Sequence, residues 1–250
     1  MRAEFAGRHA LVSGGSRGIG RAIASTLTEA GASVTILGRE ESALKAAVAA
    51  GAAAHYVRGD VTKGGECRAA IARAGERAPI DILVANAGGA ESAPFARSDE
   101  QIFRRMLDLN FMSVVHAAQA VIGGMTERGF GRIVAVASLA GLQGYAYVSA
   151  YCAAKHAAVG LVRALALETG GTGVTVNAVC PGYADTDLVR ESVAKIVKKT
   201  GRTEAAALEA ILGEEQQRLL TPAEVAGAVL EFCRPNNTMS GEAMPLYGRA

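Results

Sequence analysis

Tyr151 and Lys155 stand four residues apart, so in a helix the phenol and the ammonium share one face. A free tyrosine has a pKa near ~10 and is a poor base at neutral pH. A fixed positive charge beside the phenol favours its ionised form, and lowering the pKa by about 3 units would take roughly 4 kcal/mol. The pair therefore suggests a proton donor and acceptor for a carbonyl group and its alcohol. The spacing alone is equally compatible with an ordinary solvated helix face.

A glycine-rich run, residues 13–20, follows the first apolar segment of the chain and precedes a predicted helix. Its glycines allow a sharp turn in which backbone amides approach a pyrophosphate, and the helix N-terminus adds donors and a favourable dipole. The spacing is G-x-x-x-G-x-G, which differs from the more common G-x-G-x-x-G fingerprint. We predict a dinucleotide-binding loop, with a purely structural turn as the alternative. The residues expected to contact the dinucleotide here are Gly14, Ser16, Arg17, Gly18, Ile19 and Gly20.

The end of the second predicted strand indicates which nucleotide the loop binds. An acidic residue there usually bonds the ribose 2′-hydroxyl of NAD and would repel a 2′-phosphate. The chain has Leu37-Gly38-Arg39 at this point, with acidic residues only from Glu40 onward. Arg39, helped by Arg17, could hold a phosphate through charge-assisted bonds worth roughly 1.5–3 kcal/mol each. We predict a preference for NADP(H), with NAD(H) as an alternative; two ordinary surface arginines would explain the same residues.

The hydrophobic pattern predicts the elements that position these residues. Short apolar runs alternate with amphipathic stretches along the whole chain, as in repeated βαβ units with a parallel sheet. Strands are predicted at 9–13, 33–37, 54–57, 80–85, 131–137 and 174–179. Helices are predicted near 18–30, 40–50, 64–75, 99–128, from Tyr151 to about 168, and from Thr221, where the residue types are those of a capping box. We therefore predict an α/β fold, a doubly wound, Rossmann-like parallel sheet with helices on both faces, as a single domain over 1–250.

The composition limits the classes of partner. The chain has 250 residues, 50% hydrophobic and 20% charged, with a formal net charge of +2, which gives no reason to expect nucleic acid or a membrane surface. Residues 1–9 lack the apolar core of a signal peptide, and no run approaches the ~18 apolar residues that span a bilayer. Four cysteines and four histidines are scattered without metal-ligand spacing. We expect a cytoplasmic protein with reduced thiols and no metal site.

Together with the glycine loop, the Tyr151/Lys155 pair makes the chain resemble a short-chain dehydrogenase/reductase of the compact, single-domain branch, similar to 3-oxoacyl-thioester reductases and 3-hydroxyacyl dehydrogenases. The resemblance covers nearly the whole chain, and its motifs occur in the family's order. Ser138 precedes Tyr151 by 13 residues (151 − 138), the separation usual in this family. The remaining matches are Asp60 after the third strand, Asn86-Ala87-Gly88 after the fourth, Asn110 in the long helix, and Pro181-Gly182 with Thr186 after the sixth.

The resemblance implies a role for each matching residue. Tyr151 exchanges a proton with the substrate oxygen, Lys155 lowers the tyrosine pKa and holds the nicotinamide ribose, and Ser138 donates a hydrogen bond to the developing oxyanion. Asn110, a poor helix former, goes with a local kink and holds a water that links the lysine to solvent. The resemblance also implies contacts of Asp60 and Val61 with the adenine. Asn86, Ala87 and Gly88 are expected to pack along the cofactor. Pro181, Gly182 and Thr186 are expected to contact it as well, with Thr186 at the nicotinamide carboxamide.

Three positions depart from the family pattern. Ser13 replaces the usual threonine with a hydroxyl that can still serve, and Ala85 replaces the first asparagine of N-N-A-G. Residues 241–249 lack the common Asp-Gly-Gly ending. The last departure leaves open the subunit contact and the substrate entrance, to which this segment often contributes in the family.

Substrate specificity is expected in residues 139–150 and in a polar lid of about 187–220. The pocket candidates suggest mixed apolar and hydrogen-bonding walls and are Leu139, Leu142, Gln143, Tyr145, Tyr147 and Tyr183. The basic residues of the lid could meet the phosphates of a coenzyme A or acyl-carrier thioester, or form a solvated helix face; they are Arg190, Lys195, Lys198, Lys199 and Arg202.

Three functional hypotheses follow. The first is an NADP(H)-dependent reductase of 3-oxoacyl thioesters or dehydrogenase of 3-hydroxyacyl thioesters. The second is an oxidoreductase for a small free ketone or a cyclic, sugar or steroid-like alcohol. The third, from another class, is a non-catalytic nucleotide-binding subunit, against which the intact set of proton-relay residues argues. The family usually forms dimers or tetramers through the helices around 99–128 and 150–168, and we expect a homotetramer.

Overall fold

The computed structural model describes residues 4–212 and 216–249. Its strands are β1 His9–Ser13, β2 Ser33–Gly38, β3 His55–Arg58, β4 Ile82–Ala85, β5 Gly131–Val136, β6 Val174–Pro181 and β7 Ala243–Leu246. Within the described residues they form one seven-stranded sheet in the order β3-β2-β1-β4-β5-β6-β7, and every neighbouring pair is parallel. The helices are α1 Gly18–Glu29, α2 Glu41–Ala49, α3 Gly64–Gly75, α4 Glu100–Leu107, α5 Ser113–Glu127, α6 Ser149–Glu168, α7 Asp187–Thr200, α8 Glu204–Leu212 and α9 Pro222–Cys233.

The sheet separates two apolar cores. On one face α1, α2 and α9 cover the strands, with Ile23, Leu44 and Phe232 among the fully buried side chains. On the other face α3, α5 and α6 do the same, through residues such as Ile71 and Met125. Because both faces are covered, β1, β4, β5 and β6 are buried along their full length, which explains their nearly continuous apolar sequences. The predicted doubly wound fold is confirmed.

The strand order places the site. The chain builds outward from β1 to β3 on one side and then from β4 to β7 on the other. The reversal leaves a crevice beyond the carboxyl ends of β1 and β4, which is where open α/β sheets bind ligands. The glycine loop follows β1, and Asn86-Ala87-Gly88 follows β4, so both predicted motifs lie at this edge of the sheet.

Three elements differ from the sequence prediction. The helix expected over 99–128 is interrupted by a π-helical turn, Asp108–Met112. The segment expected to be a polar lid contains two helices, α7 and α8, while residues 213–215 of the predicted lid lie outside the described residues. The strand β7 was missed because it is short, contains Pro245 and is only partly buried; proline is tolerated there because β7 lies at the edge of the sheet.

Two helical spans, Glu100–Glu127 and Ser149–Glu168, are long and apolar enough to cross a membrane by length and composition alone. Both pack on the sheet, through residues such as Val114 and Val159 in the apolar core. Core helices of globular domains pass the same test, so this finding is weak evidence for a membrane span.

Candidate active site

The predicted serine, tyrosine and lysine meet at the carboxyl end of β5. Ser138 lies two residues beyond the strand, while Tyr151 and Lys155 lie one turn apart in α6. The Tyr151 and Ser138 side chains are hydrogen bonded. The Lys155 Nζ atom lies 5.6 Å from the centroid of the Tyr151 ring and donates a hydrogen bond of 2.9 Å to the Val136 carbonyl oxygen. The strand end thus orients the ammonium of a lysine that is itself buried.

Burial dominates the ionisation of this group of residues. It raises the pKa of Tyr151 to about 12, with the hydrogen bond to Ser138 acting in the opposite direction. Burial also lowers the pKa of Lys155 to about 8. The lowered Tyr151 pKa that we expected from the neighbouring charge is not found, because removing the phenol from water disfavours its ionised form. At neutral pH the phenol therefore holds a proton that it can donate.

Asn110 lies inside the π-helical turn and is buried. Its side chain pairs with the backbone of the loop after β4: Oδ1 accepts from the Gly89 N–H at 3.2 Å and Nδ2 donates to the Gly89 carbonyl at 2.9 Å. Nδ2 also donates to the Met106 carbonyl at 3.1 Å. A Cβ added at Gly88 would lie 2.9 Å from Asn110 Oδ1 and 3.5 Å from Lys155 Nζ. The π-helical turn lies where the resemblance implies a kink, and Gly88 lies between the asparagine and the lysine.

The glycine loop adopts backbone conformations that favour glycine. Gly14 and Gly18 have φ of 65° and 53°, in the left-handed region. A Cβ at Gly20 would lie 2.2 Å from the Gly14 carbonyl oxygen, so no larger residue fits there. Arg17 precedes α1 in an extended conformation without a side-chain cap, which leaves the first amides of the helix directed at the crevice. Of the other loop residues, Ser16 is half-buried and Ile19 packs against the apolar core.

The loops after β1 and β4 are joined by Ser13 and Asn86. The Ser13 hydroxyl accepts hydrogen bonds from the Asn86 and Ala87 N–H groups, at 3.0 and 3.1 Å. The Asn86 side chain donates back to the Ser13 carbonyl at 3.0 Å. Serine thus makes the bonds expected of the usual threonine. These contacts close the loop on which Ala87 and Gly88 lie, despite Ala85 in place of asparagine.

Arg39 and Asp60 lie beyond the ends of β2 and β3. Arg39 is exposed, as is Arg17. Burial acts to raise the pKa of Asp60, but hydrogen bonds from Thr62 and the charge of Arg39 outweigh it and lower the pKa. Arg58, which no sequence pattern indicated, is also exposed here, and its Nε donates to the Arg39 carbonyl at 3.2 Å.

The adenine-side residue Val61 is buried next to Asp60. Its carbonyl oxygen lies 3.1 Å from the His116 Nδ1 atom, which fixes this loop against α5. The predicted adenine contacts therefore lie together at the same edge of the sheet as the glycine loop.

Pro181, Gly182 and Thr186 lie where β6 leads into α7. The Gly182 N–H donates to the Leu246 carbonyl at 2.9 Å, so β7 supports this turn. Thr186 lies over the glycine loop, since its Cγ2 is 3.6 Å from the position that a Gly18 Cβ would take. The structure thus brings the three residues to the side of the crevice opposite Asp60. Within the described residues, no group of three or more histidine, cysteine, aspartate or glutamate side chains could hold a metal ion.

The basic residues of the lid are in different environments. Arg190 pairs with Asp185 and, at 3.3 Å, with Asp187. Lys195 lies close enough to Glu91 to contribute, after the Arg105 hydrogen bond, to the lowered pKa of that carboxyl. The remaining three side chains are exposed at and beyond the end of α7 and are Lys198, Lys199 and Arg202.

The chain matches known proteins along most of its length. Residues 8–196 match the family model described as short chain dehydrogenase. An acetoacetyl-CoA reductase of Rhizobium meliloti is 38% identical over 195 residues, 77% of this chain and 80% of the relative. A cis-4-hydroxycyclohexanecarboxylate dehydrogenase of Sinomonas cyclohexanicum is 39% identical over 92% of this chain and 90% of the relative. A crystal structure of actinorhodin polyketide ketoreductase with NADPH superposes with a TM-score of 0.90 at 33% identity and covers 96% of both chains.

Proposed function

Because the chain belongs to the short-chain dehydrogenase family, and is therefore a nicotinamide-dependent oxidoreductase that interconverts a ketone and a secondary alcohol, we propose that its natural reaction is the NADPH-dependent reduction of a 3-oxoacyl thioester. The observation that carries the proposal is the meeting of the Tyr151 phenol with the Ser138 hydroxyl and the Lys155 ammonium at one strand end. A group that reduces a ketone must supply a proton to the carbonyl oxygen, and a neutral phenol can do so.

Each residue of the site has one task in this reaction. Tyr151 donates its proton to the ketone oxygen, and Ser138 donates a hydrogen bond to the same oxygen as negative charge develops there. Lys155 stabilises the phenolate that remains, since its ammonium is held beside the ring by the Val136 carbonyl. Asn110 holds the loop at Gly89 and keeps the space beside Lys155 open for a water that returns protons. NADPH, when bound, supplies the hydride.

The residues present fit a bound dinucleotide. The backbone of the glycine loop and the uncapped start of α1 suit its pyrophosphate. Arg39 and Arg17 are exposed where a 2′-phosphate would lie, and their charges favour NADP(H) over NAD(H). The other residues that would hold the cofactor are Gly14, Ser16, Gly18, Ile19, Gly20, Asp60, Val61, Asn86, Ala87, Gly88, Tyr151, Lys155, Pro181, Gly182 and Thr186.

Two observations support a thioester as the substrate. One is the similarity to an acetoacetyl-CoA reductase. The other is the exposed basic end of α7, where Lys198 and Lys199 are free to meet the phosphates of the carrier. Arg190 is less suited to this task because its guanidinium is already paired with two aspartates.

The rate of NADPH oxidation with acetoacetyl-CoA, compared with ethyl acetoacetate at equal concentration, tests this proposal. We expect an advantage of tenfold or more for the thioester, about 1.4 kcal/mol at the transition state. The double variant Lys198→Glu/Lys199→Glu is expected to remove most of that advantage by raising KM for the thioester alone. Arg68→Glu/Arg77→Glu, which makes the same charge change at exposed positions in and after α3, is the control. Equal rates with thioester and ester would refute the thioester substrate.

The second candidate is a small free ketone or cyclic alcohol. It is favoured by the similarity to a dehydrogenase of cis-4-hydroxycyclohexanecarboxylate. If the ester is reduced as fast as the thioester, a series of cyclic ketones and alcohols is the next set of substrates to measure. We further propose that residues 1–250 form a single domain and that the protein is a cytoplasmic homotetramer.

A further inference from the structure

Gln216 is a buried polar side chain outside the set of residues described above as the catalytic machinery. Its amide pairs with both backbone groups of one residue: Oε1 accepts from the Tyr183 N–H at 2.6 Å, and Nε2 lies 3.3 Å from the Tyr183 carbonyl oxygen, to which it donates. Tyr183 lies just before α7, and Gln216 lies between α8 and α9. The side chain therefore joins the two ends of the lid, defined here as α7 and α8.

The backbones of the same two segments are also paired. The Leu220 N–H donates to the Tyr183 carbonyl at 2.9 Å, and the Asp185 N–H donates to the Leu220 carbonyl at 2.8 Å. The C-terminal segment supports both, since Gly248 accepts from the Gln217 N–H at 2.8 Å. The two ends of the lid thus form one small hydrogen-bonded base.

Gln216 fits this base closely. A Cβ added at Gly182 would lie 2.1 Å from Gln216 Oε1, and one at Gly248 would lie 3.3 Å from Nε2. Glycine on both sides therefore leaves room for the amide and no more. Because the amide is buried, it can satisfy its donor and acceptor only with groups of this base.

The residue that Gln216 holds lies at the same edge of the sheet as the catalytic residues, because Tyr183 follows β6 as Ser138 follows the neighbouring strand β5. The Tyr183 side chain is partly buried, and burial raises the pKa of its phenol. Cys152, the neighbour of Tyr151 in α6, adds to that rise, and Tyr183 in turn contributes to the raised pKa of Tyr151. Tyr183 thus places a second, uncharged hydroxyl-bearing ring at the wall of the site.

We propose that Gln216 is a positioning residue for the substrate: by holding the backbone of Tyr183 and the base of the lid, it fixes the wall against which the ketone binds. This inference rests on the proposed reductase function. The substrate recognised here is a carbonyl compound whose chain packs on the Tyr183 ring. Gln216 itself touches neither the substrate nor the cofactor.

The test is Gln216→Met, which keeps the length of the side chain and removes its hydrogen bonds to the backbones of Tyr183 and Arg218. With acetoacetyl-CoA and NADPH as the probes, we expect KM for the thioester to rise at least tenfold, with less than a threefold change in kcat. The dissociation constant of NADPH, measured by its fluorescence, is expected to stay within twofold. Gln101→Met, the same change at an exposed position of α4, is expected to leave all three values unchanged.

Limited trypsin digestion gives a second readout that does not depend on activity. Lys198, Lys199 and Arg202 are exposed cleavage sites in the lid, so loosening its base should accelerate cleavage there several-fold. Gln216→Asn keeps the amide but sets it one methylene further from Tyr183, and we expect a KM between those of the wild type and Gln216→Met. It also serves if the methionine variant does not fold.

Unchanged KM and unchanged cleavage in both variants would overturn the inference. A loss of NADPH affinity as large as the rise in KM would also overturn it, because Gln216 would then act on the cofactor. The proposed function fails in a different way: the wild-type protein would not reduce acetoacetyl-CoA, while the digestion experiment would still report on Gln216.

Discussion

The chemistry at the scale of single residues depends on where each charge is buried. Tyr151 is protonated at neutral pH in this structure, because burial raises its pKa to about 12. Lys155 keeps a charge near neutral pH although burial lowers its pKa to about 8. A neutral donor beside a cation is the arrangement that reduction of a ketone needs, since the phenolate formed by proton donation is stabilised at once.

Replacing Tyr151 by Phe removes the proton donor and little else. We expect kcat to fall about 100- to 10,000-fold, while the affinity for NADPH, measured by fluorescence titration, stays within a few-fold of wild type. Wild-type turnover in this variant would contradict the assignment and favour a non-catalytic nucleotide-binding subunit.

The pH dependence of reduction should follow Lys155. Its ammonium is charged below its pKa of about 8 and is lost as pH rises through that value, whereas Tyr151 holds its proton to much higher pH. We therefore expect kcat/KM for the ketone to be flat near neutral pH and to fall above about pH 8. A profile that stays flat to pH 10 would show that the lysine charge is not required.

Arg39→Asp tests the choice of cofactor. The substitution replaces a cation with an anion at the end of β2, where it would repel a 2′-phosphate and could bond a 2′-hydroxyl. The ratio of kcat/KM with NADPH to that with NADH is expected to reverse. Arg21→Asp, which places the same charge change at an exposed position in α1, is the control. An unaltered ratio would refute the role of Arg39.

At the scale of elements, local breaks in regular structure position the site. The π-helical turn at Asp108–Met112 places the Asn110 side chain against the loop after β4, where a regular helix would direct it elsewhere. The chain that follows the lid enters α9 through a capping box. Thr221 accepts from the Glu224 N–H at 3.2 Å, and the Glu224 carboxylate accepts from the Thr221 N–H at 2.8 Å. Arg218 completes this group with two hydrogen bonds to Glu224.

Thr221→Ala removes the side-chain half of that capping box. We expect a loss of about 1 kcal/mol in the free energy of unfolding, measured by urea denaturation, because the first turn of α9 loses a partner for one N–H group. Thr126→Ala, at an exposed position in the last turn of α5, should change stability by less. Equal stability of the two variants would show that Glu224 and Arg218 hold the helix start without the threonine.

At the scale of the whole molecule, the sheet brings together residues that are distant in the chain. The glycine loop, Asn86, Ser138 and Gly182 all follow strands of one parallel sheet, and parallel strands end at one edge. Two long helical spans, Glu100–Glu127 and Ser149–Glu168, are incompletely covered by the rest of the chain. In the most apolar stretch of each span, only 39% is buried. Their remaining apolar surface, including Leu167 at 85% exposure, is available to another subunit.

We expect four copies of the chain to associate through these helices. Size-exclusion chromatography with light scattering should give a mass four times that of one chain. Leu167→Glu is expected to shift the mass toward smaller species, since it introduces a charge on the exposed face of α6. A wild-type monomer would contradict the proposal.

The sequence alone determined the fold class and predicted the residues that the structure brings to one edge of the sheet. Strands buried on both faces are recognisable as apolar runs, and the glycine loop and the Tyr151/Lys155 spacing are local patterns with local physical causes. Only the tertiary structure decided the pKa of Tyr151, because burial depends on elements distant in sequence. It also decided that the C-terminal segment pairs with the turn after β6. The same holds for the partners of Gln216, a polar residue in a polar stretch whose burial no local pattern indicates. The packing of β6, β7 and the two ends of the lid produces that environment, and it exists only once the chain has folded.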